Sequence, residues 1–546
     1  MKRPFAKAAT LSALAAAAVL TACGSDTGTP VTPVTPTPSA LKVTGTAAVG
    51  APMANAAIQV TCAAGSATAT ANANGVYTVS ITDGTLPCVL TATSADLLTA
   101  LHSIAAGTGT ADTTSNITPL SELLVAQLSG TDPKTFVDGF TATTAISAAD
   151  VTTAQTSLLL TLTAAGIDTT NVSDIVGGAL SAGSGTGYDG VLDHLGSAIS
   201  AAGTTLAELT TAVSTTSASG GDTSSATLGT VLAPAASDCA GLKSGTLRVL
   251  DFAGGENFLI QIDAVALTAK SADGTYSLTR NATCDYTIND GSATRALVSR
   301  SGLVVLLTGT GADGAAGLAI PEQKLDVAAL AGQYTRVQYG PEFDSSVGDF
   351  GDTEFSASGQ NGVSNNCPQG HGHCVVDSSS KGALVANAEG GFDYMEGGVS
   401  QDRVFAFRNS TGRNLLVAQA PDGTVTLLAA KETAALPEVG RVSAYWQFQI
   451  NNSGLGAVTE DSNTVTAVDT SAGKVTRQFA SDSHTDTLSY NAPFTGMRYR
   501  EANGCASSTG GAYTCSGNVQ MVYGGVVVSV SSAPTKRFMS VSVIKQ

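Results

Sequence analysis

The spacing of apolar and polar residues divides the chain into regions of different period. Between residues 41 and 95, short segments alternate apolar and polar residues, as in residues 76–81 (VYTVSI), and turn signals such as Asn74-Gly75 separate them. Strict alternation is typical of strands that bury one face, and Asn-Gly is typical of tight hairpin turns. The pattern predicts a small β-sandwich over residues 41–95.

Between residues 116 and 214 the period becomes that of a helix. Thr118 is a capping residue, Pro119 stands at the first helical position, and residues 120–128 (LSELLVAQL) place apolar side chains at helical spacing. This predicts a helical region over residues 116–214. The stretch that follows is rich in Ser, Thr and Gly, which predicts a linker over residues 215–237.

From residue 238 to residue 546, short apolar runs alternate with turn signals, which predicts a large antiparallel β-rich region. Four Asp-Gly pairs are candidate hairpin turns: Asp273-Gly274, Asp290-Gly291, Asp313-Gly314 and Asp422-Gly423. Similar strings open at residues 245 (GTLRV), 332 (GQYTRV) and 440 (GRVSAYW), each starting a segment of about a hundred residues. Each segment later reaches an apolar run, at residues 303–307, 415–418 and 526–530. A closed barrel or a set of repeated β-modules would each explain this weak internal repeat.

Together these patterns predict a multidomain, mainly β protein. It comprises a small β-sandwich, a helical middle region and a large β-rich C-terminal region.

The N-terminus has the form of an export signal. Three positive charges precede an apolar run that is too short to span a bilayer. The run ends in LTACG at residues 20–24, which resembles the bacterial lipobox. The resemblance implies that residues 1–22 are a signal peptide and that Cys23 carries palmitate or similar acyl chains. Residues 23–40, rich in Pro and Thr, predict a semi-rigid tether.

The residue that follows Cys23 and the net charge of the chain indicate where the protein is located and which partners it binds. No Asp follows Cys23, and by resemblance to proteobacterial sorting rules this favours the outer membrane, with the chain surface-exposed or, alternatively, facing the periplasm. The net charge is −17, and an acidic surface repels phosphate backbones. We therefore expect no nucleic-acid partner; the expected partners are the membrane, through the lipid anchor, and a glycan or protein ligand.

The chain contains nine cysteines, and without Cys23 they fall into local pairs. In an exported chain such pairs predict four disulfides, and pairing between neighbours is the simplest connectivity: Cys62 with Cys88, Cys239 with Cys284, Cys367 with Cys374, and Cys505 with Cys515. None has CxxC spacing, which argues against redox catalysis.

The first β region carries a family resemblance. Its pattern of turns and strand residues resembles the carboxypeptidase regulatory-like, transthyretin-like β-sandwich: Gly45, Gly50-x-Pro52, Ala57-x-Gln59-Val60 and Asn74-Gly75-x-Tyr77. The resemblance covers about a tenth of the chain and implies a small module without catalytic function, whose strands a Cys62–Cys88 bridge would tie.

Two strings hold candidate metal ligands. Residues 342–354 contain five carboxylates, including Asp344, Asp349, Asp352 and Glu354, and a glycine-containing acidic loop can fold around calcium. The alternative is a solvated acidic loop, and no other cofactor is expected. In residues 367–374 (CPQGHGHC), His371 and His373 could hold Zn or Cu, whereas the alternative is a small disulfide loop.

Two further strings are candidate binding or catalytic sites. Residues 482–486 (DSHTD) place Ser, His and carboxylates side by side, but neighbouring strand residues point to opposite faces, so a polar turn or edge strand is the alternative. Tyr445, Trp446 and Phe448 are candidates for an aromatic platform that stacks on a sugar ring. The alternative is that the Trp446 face is core.

The leading functional hypothesis is a surface lipoprotein that binds an extracellular glycan or protein and is not an enzyme. One alternative is a secreted hydrolase or lyase acting on a polymer, with Asp344, Asp349 or Asp352 as acid and base. Another is an envelope assembly factor that faces the periplasm.

Overall fold

Antiparallel strand pairing dominates the fold. The computed structural model describes residues 40–218, 224–252, 256–341, 348–379, 381–507, 513–535 and 537–546. The predicted signal peptide, Cys23 and nearly all of the predicted tether lie outside these residues, as does Asp344.

The first region is a β-sandwich. Its strands are β1 (Ala40–Thr46), β2 (Ala48–Val49), β3 (Ala51–Pro52), β4 (Ala57–Ala64), β5 (Ser66–Thr70), β6 (Val76–Thr82), β7 (Thr85–Thr93), β8 (Ala100–Gly109) and β9 (Thr113–Thr114). One sheet has the order β6-β1-β9 and the other β5-β4-β7-β8, while β2 and β3 form a short hairpin. Both sheets bury side chains in one core. Cys62 and Cys88 lie opposite each other on β4 and β7 and form a disulfide.

The sandwich extends beyond the predicted boundary at residue 95. β8 pairs with β7 along most of its length, and β9 pairs with β1. Residues 101–105 of β8 are all buried, because one face lies on the sandwich core and the other lies against helices. A strand that is buried on both faces lacks alternation, so the pattern did not predict it.

The helical region packs against β8. Its helices are α1 (Pro119–Ser129), α2 (Pro133–Asp138), α3 (Ala148–Ala164), α4 (Gly187–Ala201), α5 (Leu206–Ala218) and α6 (Ser224–Leu232). Residues 119–126 of α1 are buried, and a buried pair, His102 Nδ1 with Glu122 Oε2 at 3.0 Å, joins α1 to β8. Within the described ranges, no helix combines the length and apolar character needed to cross a bilayer.

The predicted linker over residues 215–237 is wrong in part, because it contains the end of α5 and all of α6. Leu228, Val231 and Leu232 are buried in the helical core. These residues repeat at helical spacing, and their burial offsets the low helix propensity of the surrounding Ser, Thr and Gly.

An eight-stranded barrel, the first barrel, follows. A short hairpin of β10 (Ala235–Ala236) and β11 (Cys239–Lys243) precedes it. Its strands are β12 (Gly245–Asp251), β13 (Asn257–Asp263), β14 (Thr268–Lys270), β15 (Thr275–Ala282), β16 (Asp285–Ile288), β17 (Thr294–Val298), β18 (Val304–Thr308) and β19 (Ala315–Pro321). β12 pairs with β19 and closes the barrel. Apolar side chains fill its interior and leave a cavity of about 10 Å³, roughly one water.

An open nine-stranded sheet forms the second module. A 3₁₀ helix (Val327–Leu330) leads into its strands, which are β20 (Gly332–Tyr339), β21 (Phe350–Phe355), β22 (Ser364–Asn366), β23 (Val375–Asp377), β24 (Gly382–Ala386), β25 (Phe392–Glu396), β26 (Val399–Arg408), β27 (Asn414–Gln419) and β28 (Val425–Ala430). The order is β23-β22-β21-β20-β28-β27-β26-β25-β24. One face carries its own core.

The last module is a second barrel. Its strands are β29 (Val442–Asn451), β30 (Gly454–Leu455), β31 (Thr459–Asp469), β32 (Lys474–Phe479), β33 (Thr485–Tyr490), β34 (Met497–Arg500), β35 (Cys505–Ala506), β36 (Asn518–Tyr523), β37 (Val526–Ser531) and β38 (Met539–Ile544). Pairing of β29 with β38 closes a ring that runs through β31 to β34, β36 and β37.

The three predicted segments correspond to these three modules. The strings at residues 245, 332 and 440 lie at or just before the first strands β12, β20 and β29. In each module the first strand pairs with the last. The four Asp-Gly pairs all lie between paired strands, and all four predicted disulfides are present.

Candidate functional site at the rim of the second barrel

The predicted aromatic platform is not at the surface. Trp446 and Phe448 are 1% and 2% exposed, and Tyr445 is 7% exposed. Trp446 and Phe448 point outward from the second barrel into a core shared with the other two modules, whereas Tyr445 points the other way. A sugar ring cannot stack on covered rings, so the platform hypothesis is corrected: the Trp446 face is core.

The described carboxylates of the acidic run do not form a common site. Asp349 pairs with Arg537 at 2.7 Å, and Asp352 pairs with Lys431 at 2.6 Å. Glu354 accepts a hydrogen bond from the backbone of Val363. Within the described ranges, no three His, Cys, Asp or Glu side chains are grouped to hold a metal ion. This arrangement does not support a calcium loop, or an acid–base pair, built on Asp349 and Asp352.

The histidine-containing loop is closed by its disulfide and docked on the second barrel. Cys367 and Cys374 are bonded to each other, so neither thiolate is available to a metal. The His371 N–H donates to the Ser532 carbonyl at 3.0 Å, and its ring stacks on Tyr499 with centroids 3.7 Å apart. Burial in this contact lowers the pKa of His371, and the charge of Glu501 partly opposes the shift.

The interior of the second barrel holds polar side chains beside a small apolar cluster. Asp486 lies on its inner face with no exposed side-chain surface and accepts two hydrogen bonds from Arg477, at 3.0 and 2.7 Å. Arg500 approaches the same carboxylate at 3.2 Å. Among the described residues, several buried atoms on this face have no hydrogen-bond partner: Nε of Arg498, Nε of Arg500, Oδ1 of Asn518 and Oε1 of Gln520. The interior of the first barrel, in contrast, is filled mainly by apolar side chains.

An aromatic stack lies where the strands of this barrel end. The rings of Phe479, His484 and Tyr513 stack in that order, with centroids 4.2 Å and 4.6 Å apart. Asp482 is hydrogen-bonded to His484 Nδ1 and accepts from the Tyr513 hydroxyl at 2.8 Å. These hydrogen bonds, that of His484 first, lower the pKa of Asp482 to about 2. The Arg477 guanidinium lies 5.3 Å from the Phe479 ring centroid.

The predicted DSHTD string therefore divides between two environments. Asp482 is exposed and His484 lies in the half-buried stack, whereas Asp486 is an interior ion-pair partner. Ser483 contacts its neighbours through its backbone, with its N–H donating to Phe479 and its carbonyl accepting from Gln478. The string forms a turn, and the structure does not assemble Ser483, His484 and a carboxylate into a nucleophilic triad.

We call this surface the barrel-2 rim. It comprises residues 480–484, 501–507, 513–517 and 532–533 of the second barrel and residues 367–374 of the sheet. Disulfides close two of these loops, and three of the chain's five histidines lie on them or within the aromatic stack: His371, His373 and His484. Sequence reasoning missed Tyr499, the ring partner of His371, and Phe479 and Tyr513, the ring partners of His484. The one local signal was the position of Tyr513 between Cys505 and Cys515.

No family model and no curated protein matches the chain. Among solved structures, it is similar over 53% of its length to transferrin binding protein B from serogroup B Neisseria meningitidis, at 12% identity and a TM-score of 0.19. A double mutant of transferrin binding protein B from Haemophilus parasuis Hp5, described as a vaccine antigen, matches at 10% identity and a TM-score of 0.17. The matches span 58% and 65% of those chains. Similarity at this level does not establish a shared fold, so function is inferred from the geometry.

Proposed function

We propose that this chain is a lipid-anchored protein of the outer membrane that binds an extracellular protein partner at the barrel-2 rim. The observation that carries the proposal is the stack of Phe479, His484 and Tyr513 beside two disulfide-closed loops. Acylation of Cys23 supplies the anchor, and residues 23–40 hold the folded modules away from the bilayer. The regulatory-like β-sandwich is proposed as a module without catalysis of its own.

The rim has the properties of a contact surface. Disulfides and ring stacking hold its side chains in one arrangement before a partner arrives, which reduces the entropy lost on binding. Tyrosine is common among residues that dominate binding energies, and Tyr513 lies here. The sheet and the second barrel both contribute loops, so the surface is broad, as a protein partner requires.

The contact is tested by photocrosslinking with the full chain on the surface of its own cells. Benzoylphenylalanine placed at Tyr513 should give an adduct with an extracellular protein, whereas the same group at Phe258, an exposed residue of the first barrel, should not. Purified partner should bind the H484A/Y513A variant at least tenfold more weakly, since roughly 1.4 kcal/mol is tenfold in affinity. Equal adducts at both positions, or a partner that binds the variant normally, contradict the proposal.

A second test concerns the face of the membrane. Protease added to intact cells should cleave the anchored chain, and the C23A variant should be lost from the membrane fraction. Protection from protease until the outer membrane is opened would favour the periplasmic assembly factor instead. A glycan array run with the same purified chain separates protein from glycan ligands.

A further inference from the structure

The lumen of the second barrel, the space that its strands enclose, is lined along one wall by polar side chains. Strand pairing places Arg498, Gln520, Ser529, Ser540 and Gln449 opposite one another in a row across β34, β36, β37, β38 and β29. The neighbours of these residues along each strand belong to the core that the three modules share. Because successive side chains of a strand point to opposite faces, the row faces the lumen. We call this wall the polar row.

The polar row borders accessible space inside the barrel. Ser529 and Ser540 are each 7% exposed, Gln520 is 8% exposed and Arg498 is half-buried. The strands turn their other face to the shared core, so this accessible surface lies in the lumen. The interior of the first barrel, in comparison, leaves a cavity of only about 10 Å³. The lumen of the second barrel therefore admits water or a small solute beside the polar row.

Arg498 has no counter-ion among the described residues. Its guanidinium lies 4.6 Å from the Tyr490 ring centroid, and its Nε is buried without a hydrogen-bond acceptor. Within the described ranges, neither a carboxylate nor a carbonyl accepts from its other N–H groups. Burial lowers the pKa of Arg498; Tyr490 opposes this shift, and the charges of Arg477 and Arg441 add to it. A guanidinium nevertheless stays protonated, so the lumen holds a positive charge that lacks a partner.

The other charged side chains of the lumen are paired. Asp486 accepts from Arg477 and lies 3.2 Å from Arg500. Asp461 accepts from the backbone and the hydroxyl of a rim serine, at 3.1 and 2.9 Å. The described side chains of the lumen therefore carry an excess positive charge, and that charge lies on Arg498. A buried charge of this kind is unfavourable unless an ion of opposite sign accompanies it.

We propose that the lumen of the second barrel binds a small oxyanion, a carboxylate or a phosphate, with Arg498 as its counter-ion. The planar guanidinium presents parallel N–H donors that match the oxygens of either group. Gln520 and Ser529, which follow Arg498 in the polar row, can supply an amide and a hydroxyl donor to the same ligand. This site goes beyond the proposed contact at the barrel-2 rim and does not depend on it.

The test uses the full mature chain in Tris chloride, with labelled inorganic phosphate and labelled acetate as the probes in equilibrium dialysis. We expect saturable binding of one oxyanion per chain. The probe that binds more tightly identifies phosphate or carboxylate as the ligand, and equal binding assigns the site to both oxyanions. The R498Q variant should bind at least tenfold more weakly. The R403Q variant, which changes an exposed arginine of β26, should bind like the unaltered chain.

A second measurement keeps the proposal open to contradiction if R498Q folds poorly. In the unaltered chain, a saturating oxyanion should slow amide hydrogen exchange in β34 and β36, read by mass spectrometry, and leave β13 and β14 of the first barrel unchanged. A lumen that holds only water would show no saturable binding. That result, normal binding by a folded R498Q variant, or equal slowing in both barrels would each overturn the proposal.

Discussion

Asp486 is the counter-ion for two arginines inside the second barrel. It lies between Arg477 and Arg500, and none of its side chain is exposed. Replacing one member of a buried ion pair strands the remaining charges, which costs roughly 3–5 kcal/mol. We expect the D486N variant to unfold at a clearly lower temperature than the unaltered chain in scanning calorimetry with the disulfides intact.

The matched control is D469N in the β31–β32 turn. Asp469 is exposed and accepts hydrogen bonds from the backbone of Ser471 and Ala472, which an asparagine oxygen can also accept. Its free energy of unfolding should stay within about 0.5 kcal/mol of the unaltered value. Equal melting temperatures for D486N and D469N would show that the interior pair is not stabilising.

Asp402 gives a pH-dependent prediction. Burial, with a smaller contribution from the charge of Asp422, raises its pKa from 3.8 to about 6. The folded chain therefore holds this proton more tightly than the unfolded chain, so ionisation costs stability as pH rises from about 4 to 6 and the cost is constant above that. The D402N variant should match the unaltered chain at pH 4 and be more stable at pH 8, by roughly 1–3 kcal/mol.

Urea unfolding at both pH values measures the Asp402 effect, and D273N is the control, because Asp273 is an exposed residue of a hairpin turn. A gain of stability in D402N that is the same at pH 4 and pH 8 would contradict the titration of this carboxyl as its source.

At the scale of the element, α1 depends on its N-terminal cap. The Thr118 hydroxyl accepts from the Ser121 N–H at 3.1 Å, and the Ser121 hydroxyl accepts from the Thr118 N–H at 2.8 Å. Both residues are fully buried, so water cannot replace these bonds. The T118A variant should lose about 1–2 kcal/mol of stability in urea unfolding. T118S keeps the oxygen and should lose much less; an equal loss in both would assign the effect to the methyl group.

Elements with a local signal were predictable from the sequence. The capping residues and Pro119 marked α1, and Asp-Gly pairs marked four hairpins. β8 and α6 gave no such signal, because β8 is buried on both faces and α6 has only three large apolar residues among Ser, Thr, Gly and Ala. Tertiary burial, which a local pattern does not contain, decides both elements.

The candidate site was less predictable than the fold. His371 and His484 stood out in the sequence as unusual strings, but their partners Tyr499 and Tyr513 lie far from them along the chain. Trp446 is a different case. Its strand alternates as the strand of an exposed aromatic platform would, but the outer face of the second barrel is covered by neighbouring modules. Which face of a strand is covered depends on the packing of whole sheets.

At the scale of the whole molecule, the apolar runs at residues 303–307, 415–418 and 526–530 have the same structural explanation. β18, β27 and β37 each precede the last strand of their module, and each sends alternate residues to a single core. Val305, Val417 and Val528 are members of that core. The other faces of β18 and β27 join the cores of their own modules. Burial on both faces is why these runs are continuously apolar.

A shared core makes the modules dependent on one another. Trp446 of the second barrel lies in the same cluster as residues of β18 and β27, so removing its side chain opens a cavity in the core that the three modules share. A change of this kind costs about 3–5 kcal/mol. We expect the W446A variant to exchange amide hydrogens faster in β18 and β27 as well as in its own barrel, measured by mass spectrometry on the intact chain.

Leu488 provides the matched comparison, because it is fully buried in the same barrel but faces its interior in a separate cluster. The L488A variant should speed exchange within the second barrel while leaving β18 and β27 close to their original rates. If W446A also acts only within the second barrel, the modules unfold independently and the shared core is merely a contact surface. If W446A accelerates all three, the apolar repeat is what makes residues 245–544 one cooperative unit, and the barrel-2 rim is held by the whole of it.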